Sequence, residues 1–99
     1  MKYEVALTYI YRVHAVQRMF ERDILEQDVE DTIENGEIIE EYPEDEPFPS
    51  YLALKFCNKK ALHVVFAKDK ENGKIIVITA YYPDKEKWDE NFKKRRREK

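Results

Sequence analysis

The chain has 99 residues, a length that accommodates one small domain with one hydrophobic core. Hydrophobic residues make up 42% and charged residues 39%, with only two glycines, which excludes disordered and fibrous classes. The net charge of −3 is unevenly distributed: residues 26–46 carry eleven carboxylates and no lysine or arginine, whereas the tail 93–99 carries six cations and one anion. No apolar run reaches the roughly 18 residues of a membrane span, and the N-terminus lacks a signal-peptide pattern. The single Cys57 favours a reducing compartment, so we expect a cytoplasmic protein.

The first predicted elements are two helices. A helix over residues 10–22 is predicted by an apolar stripe at helical spacing, formed by Val13, Val16, Phe20 and Ile24. A second helix is predicted over residues 26–35, and Gly36 ends it because glycine adopts the left-handed backbone of a helix end at little cost. The conformation of the residues before the first helix is left open.

Four antiparallel strands are predicted next, over residues 37–82, followed by a helix that begins after Pro83 and carries Trp88 and Phe92. The predicted fold is therefore α+β in a single domain, 1–99, with two N-terminal helices, a four-stranded antiparallel meander and a C-terminal helix. Its predicted core contains Val16, Phe20, Ile33, Leu52, Leu54, Leu62, Val64, Phe66, Ile76 and Ile78.

The turn between the last two strands decides which side chains meet. A two-residue turn at Asn72-Gly73 places His63 opposite Tyr82. A three-residue turn over 71–73 places His63 opposite Tyr81, and we favour it because it keeps one face of the strand pair apolar.

Three basic side chains share one side of the first predicted helix. His14, Arg18 and Arg22 lie at positions i, i+4 and i+8. Arginine forks bind phosphate oxygens and histidine transfers protons near neutral pH, so this array suits a phosphodiester. Alternatively, the arginines form ion pairs with Glu21 or with carboxylates of the second helix.

His63 is the other histidine and stands in a strand of apolar residues. Such a histidine is commonly a packed, hydrogen-bonded residue. Beside Tyr81 and Thr79 it becomes a candidate for proton transfer, because a tyrosine hydroxyl can donate to a developing negative charge. The two histidines and the cysteine lack the spacing of zinc sites, and no glycine-rich phosphate loop is present, so we expect no metal and no cofactor.

The basic tail has two interpretations. Its cations either form a solvated helix end that suits the helix dipole, or follow the phosphates of an RNA. The candidate RNA-binding residues of the tail are Lys93, Lys94, Arg95, Arg96 and Arg97.

Three segments, spread from about His14 to Trp88, read HAVQRMFER, KALHVVFAKD and ITAYYPDKEKW. Together they resemble a prokaryotic family described as a domain of unknown function, DUF4258. That family is similar in fold to the RelE/BrnT-like endoribonuclease toxins, which cleave RNA without metal by attack of the substrate 2′-hydroxyl. Lys60 matches a position where the family often has a basic residue, so the resemblance adds it to the candidate RNA-binding residues.

The resemblance implies a toxin-like endoribonuclease with RNA as its substrate and a cognate antitoxin-like protein as its partner. The positions carried over as catalytic are His14, Arg18, Arg22, His63, Thr79 and Tyr81. The alternative is a non-catalytic module that keeps the toxin-like fold and binds only a protein or RNA. The oligomeric state is left open.

Overall fold

The computed structural model describes residues 7–96, which form two helices and one five-stranded mixed sheet. The elements are β1 (Thr8–Tyr11), α1 (Val13–Glu21), α2 (Glu26–Asn35), β2 (Glu37–Tyr42), β3 (Ser50–Cys57), β4 (Lys60–Asp69) and β5 (Lys74–Tyr81). The strand order is β1-β5-β4-β3-β2, in which β1 runs parallel to β5 and the other neighbours are antiparallel. Neither helix in this described range is long and apolar enough to cross a membrane.

The predicted arrangement of two N-terminal helices, a four-stranded antiparallel meander and a C-terminal helix is wrong in two respects. The first is β1, a fifth strand that forms just before α1. The backbone N–H of Thr8 donates to the Gly73 carbonyl at 3.0 Å, and that of Arg12 donates to the Val77 carbonyl at 3.1 Å. These bonds lie on the edge of β5 that a four-stranded meander would leave unpaired, so β1 completes the sheet there.

The second respect concerns residues 83–96, here called the C-terminal strap, which form turns and no helix. The Asp89 carboxylate accepts hydrogen bonds from the backbone N–H groups of Asn91 and Lys93, at 3.2 and 3.0 Å. Such local bonds compete with the helical hydrogen-bond pattern. Phe92 also has a φ of 59°, which a right-handed helix does not allow.

The main core lies between the sheet and the two helices. The central strand β4 contributes alternate side chains, Leu62, Val64 and Phe66, which are almost completely buried. The helices and their connection add Ala15, Met19, Ile24 and Val29. Of the other predicted core residues, Leu52 and Leu54 are buried on the sheet face that points away from the helices. Ile33, Ile76 and Ile78 are only half-buried.

The predicted inward face of α1 is wrong. Val16 and Phe20 are exposed, and Ala15 and Met19 are the buried side chains of this helix. A helix with two apolar sides can bury either of them, and the small side chain of Ala15 allows the helix to approach β5 closely. Val13, Val16 and Phe20 therefore face away from the core.

Gly36 ends α2 for a reason other than the predicted one. Its φ of −79° and ψ of 178° are extended values that any residue adopts. A Cβ atom at this position would collide with the carbonyl oxygens of Thr32 and Leu54. Glycine is therefore needed because the end of α2 passes very close to β3.

Candidate functional site

The pairing of β4 with β5 places His63 opposite Tyr81 and Val65 opposite Thr79. This is the register that the three-residue turn predicts. The structure reaches it with a four-residue turn, 70–73, whose glycine has a φ of 64°, and with a bulge next to the Val65 pair. The longer turn shifts the strand pairing by one residue, and the bulge shifts it back. His63 therefore pairs with Tyr81, as predicted.

His63 is completely buried and both of its ring nitrogens are engaged. Its Nε2 lies 2.8 Å from the carbonyl oxygen of Phe92, and its Nδ1 lies 3.2 Å from the Tyr81 hydroxyl. A carbonyl only accepts hydrogen bonds, so Nε2 carries the proton and Nδ1 accepts from Tyr81. Burial lowers the pKa of His63 and raises that of Tyr81. The ring is therefore a neutral link between β5 and the C-terminal strap.

The strap is held over His63 by an aromatic and ionic cluster. The buried ring of Trp88 meets the His63 ring edge to face, with centroids 4.5 Å apart. The Arg95 guanidinium lies 4.6 Å from the Trp88 ring centroid, and its Nε is 3.5 Å from the Glu40 carboxylate. The strap thus covers the sheet face opposite the helices.

The basic stripe of α1, formed by His14, Arg18 and Arg22, is exposed. Arg18 pairs with Glu21 at 3.4 Å, as the alternative interpretation expects, and Arg22 reaches the Ala80 carbonyl oxygen at 3.5 Å.

The six predicted catalytic residues do not form one group. Side chains alternate along a strand, so those of His63, Thr79 and Tyr81 lie on one face of the sheet, whereas α1 packs against the other face. Within residues 7–96, no hydrogen bond or ion pair joins these three side chains to the basic stripe of α1. Thr79 is half-buried beside them.

A cleft of about 460 Å³ opens at the end of the sheet where β3 turns into β4. We call it the lysine–aromatic cleft, and its lining includes Phe56, Lys59, Lys60, Tyr82, Lys85 and Phe92. Of the described residues that line it, three are lysines and none is acidic. It is therefore a local basic surface on a protein that is acidic overall.

One wall of this cleft is formed by the β3–β4 turn and by the contact of Lys60 with Tyr82. Asn58 and Lys59 adopt left-handed backbone conformations, with φ of 53° and 67°, and form the tight β3–β4 turn. The Lys60 ammonium lies 3.8 Å from the Tyr82 ring centroid, a cation–π contact.

The far wall depends on the strap. The Phe92 ring packs edge to face against Phe56, with centroids 6.2 Å apart. The Phe92 carbonyl accepts the His63 hydrogen bond, so the buried histidine holds this wall in place.

The tail cations are largely engaged within the protein. Lys93 forms an ion pair with Glu37 at 3.1 Å, as Arg95 does with Glu40. The Arg96 Nε donates to the Lys85 carbonyl at 2.9 Å, and the Lys94 carbonyl accepts from the Asp89 N–H. Arg97 lies outside the described residues. Of the cations predicted to form an RNA-binding arm, Lys93 and Arg95 therefore form ion pairs with carboxylates of strand β2.

Within residues 7–96, no group of three His, Cys, Asp or Glu side chains is arranged so that it could hold a metal ion.

A family model described as "Domain of unknown function (DUF4258)" matches residues 11–82. The chain belongs to this family. The matched part of the DUF4258 domain includes the basic stripe, the His63–Tyr81 pair and Lys60, and it ends before Lys85 and Phe92 of the strap. No curated protein and no solved structure matches the chain. The similarity to RelE/BrnT-like toxins is therefore not confirmed.

Sequence reasoning identified Lys60 but missed the rest of the cleft. Lys59 is adjacent to Lys60 in the turn that follows Phe56 by three residues, and this basic pair near an aromatic residue was the available signal. Lys85 and Phe92 gave no such signal, because their position depends on the folding of the strap.

Proposed function

We propose that this DUF4258 domain binds single-stranded RNA in the lysine–aromatic cleft. The observation that carries the proposal is the meeting of three lysines and three aromatic rings around one open volume. Cations that follow a phosphate backbone, and rings on which bases stack, are the two components of sequence-tolerant single-strand binding. The cytoplasm, where RNA is abundant, is the expected location.

Base stacking and phosphate neutralisation are both strong enough to contribute measurably to RNA binding. Each base that stacks on an aromatic side chain contributes about 1–3 kcal/mol. Each lysine that neutralises a phosphate releases a counterion, so the affinity falls as salt increases. Eleven of the 21 carboxylates lie in residues 26–46 and no carboxylate lines the cleft, so its lining can attract phosphate despite the net charge.

The test measures binding of a fluorescent oligouridine by anisotropy at several salt concentrations. One triple variant removes the cleft cations: Lys59→Gln, Lys60→Gln and Lys85→Gln. We expect weaker binding and a smaller slope of log affinity against log salt, reduced by about 2 because three contacts are lost. A separate Phe92→Ala variant removes one stacking ring and should weaken binding about fivefold or more.

The protein offers a matched control at the opposite end of the sheet. There the β4–β5 turn is flanked by three exposed lysines, so the control variant is Lys68→Gln, Lys70→Gln and Lys74→Gln. Both triple variants change the net charge equally. We expect the control to retain the wild-type salt slope. Equal losses in the two variants, or no binding by the wild-type protein, contradict the proposal.

A second candidate function is metal-independent RNA cleavage by a prokaryotic toxin that a cognate antitoxin-like protein holds in check. The exposure of His14 and Arg18 on one side of α1 favours it. His14 would transfer protons, and Arg18 and Arg22 would stabilise the extra negative charge of the pentacoordinate phosphate. His63 and Tyr81 take no part in this version, since their polar atoms are bonded to each other and His63 also to the strap.

Cleavage is tested by incubating the protein with RNA in the presence of a chelator. If the second candidate is right, His14→Ala lowers the rate by about 10²–10⁴-fold without changing the melting temperature or RNA affinity. Expression should then also arrest growth, with rescue by a neighbouring open reading frame. Equal rates for wild type and variant contradict this candidate and leave binding as the function.

A further inference from the structure

The three lysines of the lysine–aromatic cleft are not neutralised by neighbouring side chains. Among residues 7–96, none of Lys59, Lys60 and Lys85 forms an ion pair, and no carboxylate lines the cleft. The Lys60 ammonium lies over the Tyr82 ring, a contact that leaves its charge intact. The cleft therefore gathers three positive charges that an anion can neutralise.

The basic surface of the cleft is small, because acidic groups stand at its borders. Lys93, which belongs to the strap, is paired with Glu37 of β2 at 3.1 Å. Exposed Asp84 and Glu86 stand on either side of Lys85 along the chain. A strand that continued past these borders would bring its next phosphates toward carboxylates and lose affinity. The charge distribution therefore suits one anionic group better than a continuous phosphate backbone.

The volume of the cleft leads to the same conclusion. It is about 460 Å³, in the lower half of the range of about 300–1,000 Å³ that is typical of pockets for one small ligand. Domains that follow a strand bind about 4–16 nucleotides. The rings of Phe56 and Phe92, with centroids 6.2 Å apart, form an aromatic wall on which one base can stack. The cleft therefore has the size and the lining for a single nucleotide.

The amount of positive charge distinguishes between an internal and a terminal nucleotide. A phosphate that bridges two nucleotides carries one negative charge. A terminal phosphate carries a charge of about −1.5 to −2 at pH 7 and has three acceptor oxygens. Lysine binds phosphate as a point charge with three N–H donors, so three lysines match a terminal phosphate better than a bridging one. A terminal nucleotide also has only one neighbour in the strand, so the RNA crosses the border of the cleft once.

We propose that the lysine–aromatic cleft binds the phosphorylated end of an RNA strand. Lys59, Lys60 and Lys85 would hold the terminal phosphate, and the terminal base would stack on the wall formed by Phe56 and Phe92. This inference rests on the proposed RNA binding and narrows the ligand to strand ends. A 5′-phosphate and a 3′-phosphate offer the same chemistry, and the experiment distinguishes them.

The test compares short oligouridines of one length by fluorescence anisotropy, with the dye at the end that is not varied. The strands carry a 5′-phosphate, a 5′-hydroxyl, a 3′-phosphate or a 3′-hydroxyl, and a covalently closed circle with an internal dye has no end. We expect one of the two phosphorylated ends to bind about tenfold more tightly than its hydroxyl counterpart. The circle should bind as weakly as the hydroxyl-ended strands.

Variants show which part of the cleft gives the preference. The triple variant Lys59→Gln, Lys60→Gln and Lys85→Gln should bind both kinds of end equally, whereas the control at Lys68, Lys70 and Lys74 should keep the wild-type ratio. Phe92→Ala should weaken both kinds of end by the same factor, because stacking does not depend on the phosphate. Circular dichroism checks that each variant is folded.

The pH dependence of the preference gives a second readout. The second ionisation of a terminal phosphate has a pKa of about 6. The affinity ratio of phosphate-ended over hydroxyl-ended strands should therefore fall between about pH 7.5 and about pH 5.5. Effects of pH on the protein itself act on both strands and cancel in this ratio.

Several results would overturn the inference. Equal binding of phosphorylated, hydroxyl-ended and circular strands refutes end recognition and leaves single-strand binding in place. A preference for phosphorylated ends that the cleft triple variant retains would place the phosphate elsewhere on the protein. No binding of any strand contradicts the proposed function, and this inference with it.

Discussion

His63 donates a hydrogen bond from its buried Nε2 to the backbone carbonyl of Phe92, 2.8 Å away and 29 residues further along the chain. This bond joins the central strand of the sheet to the strap. Phe92 in turn forms a wall of the lysine–aromatic cleft. A completely buried histidine therefore positions a residue of the proposed binding site without touching a ligand itself.

Substitution of His63 by alanine should destabilise the protein substantially. The Phe92 carbonyl and the Tyr81 hydroxyl would lose their partner, and a buried polar group left unpaired costs about 1–3 kcal/mol. Urea unfolding followed by circular dichroism measures the change. The matched control is His14→Ala, at an exposed position, which we expect to alter the free energy of unfolding by less than about 0.5 kcal/mol. Similar effects of the two substitutions would show that His63 is not a structural link.

The buried histidine also predicts how stability depends on pH. Burial lowers the pKa of His63 below its ordinary value of 6.5, although Glu40 and the Phe92 carbonyl act in the opposite direction. Below about pH 6.5 the unfolded chain therefore binds more protons at this residue than the folded protein does. The stabilising contribution is complete above that pH and is lost as the pH falls toward the folded-state pKa.

The measurement is the free energy of unfolding between about pH 5 and pH 8, for the wild type and His63→Gln. We expect the wild type to lose more stability than the variant over the acidic half of this range. Parallel curves for the two proteins would contradict the assignment of a neutral His63.

Gly36→Ala tests the close passage of α2 over β3. The added methyl group would collide with two backbone carbonyl oxygens, which cannot move aside as a flexible side chain would. Overpacking of this kind costs about 1–3 kcal/mol, and thermal unfolding should show it as a lower melting temperature. Gly73→Ala is the comparison, because it introduces backbone strain at a φ of 64° in the β4–β5 turn, away from the contact of α2 with β3. A neutral Gly36→Ala would mean that the backbones are further apart.

Trp88 is the only tryptophan and reports directly on the strap. The ion pairs of Lys93 with Glu37 and of Arg95 with Glu40 are partly solvent-exposed, so each contributes at most about 1 kcal/mol and is screened by salt. Burial of Trp88 and the His63 bond are not screened in this way. We expect the fluorescence emission of Trp88 to stay at the short wavelength of a buried indole in about 1 M sodium chloride. A red shift would show that the ion pairs hold the strap.

The parts of the fold that local patterns determine were predictable. The bounds of α2 agree with the predicted 26–35, and the alternation of β4 identified Leu62, Val64 and Phe66 as buried. The meeting of His63 and Tyr81 followed from the apolar faces of two strands, since pairing that exposes those faces is unfavourable.

The features that depend on long-range packing were not predictable from one sequence. Both sides of α1 are apolar, so periodicity alone does not decide whether Phe20 or Met19 is buried. Trp88 and Phe92 have helical spacing, but local carboxylate hydrogen bonds and the bond from His63 select a different backbone. The lysine–aromatic cleft depends on the resulting strap, which explains why only Lys60 was foreseen.

Photo-crosslinking with an oligouridine that contains 4-thiouridine tests the central claim most directly, because it locates the RNA on the intact protein. Mass spectrometry of the crosslinked peptides should place the RNA at Phe56, Tyr82 and Phe92, with much weaker crosslinks in His63→Ala, where the Phe92 carbonyl loses its hydrogen-bond donor. Crosslinks concentrated on the basic stripe of α1, or on the acidic residues 37–46, would contradict the assignment of RNA binding to the lysine–aromatic cleft.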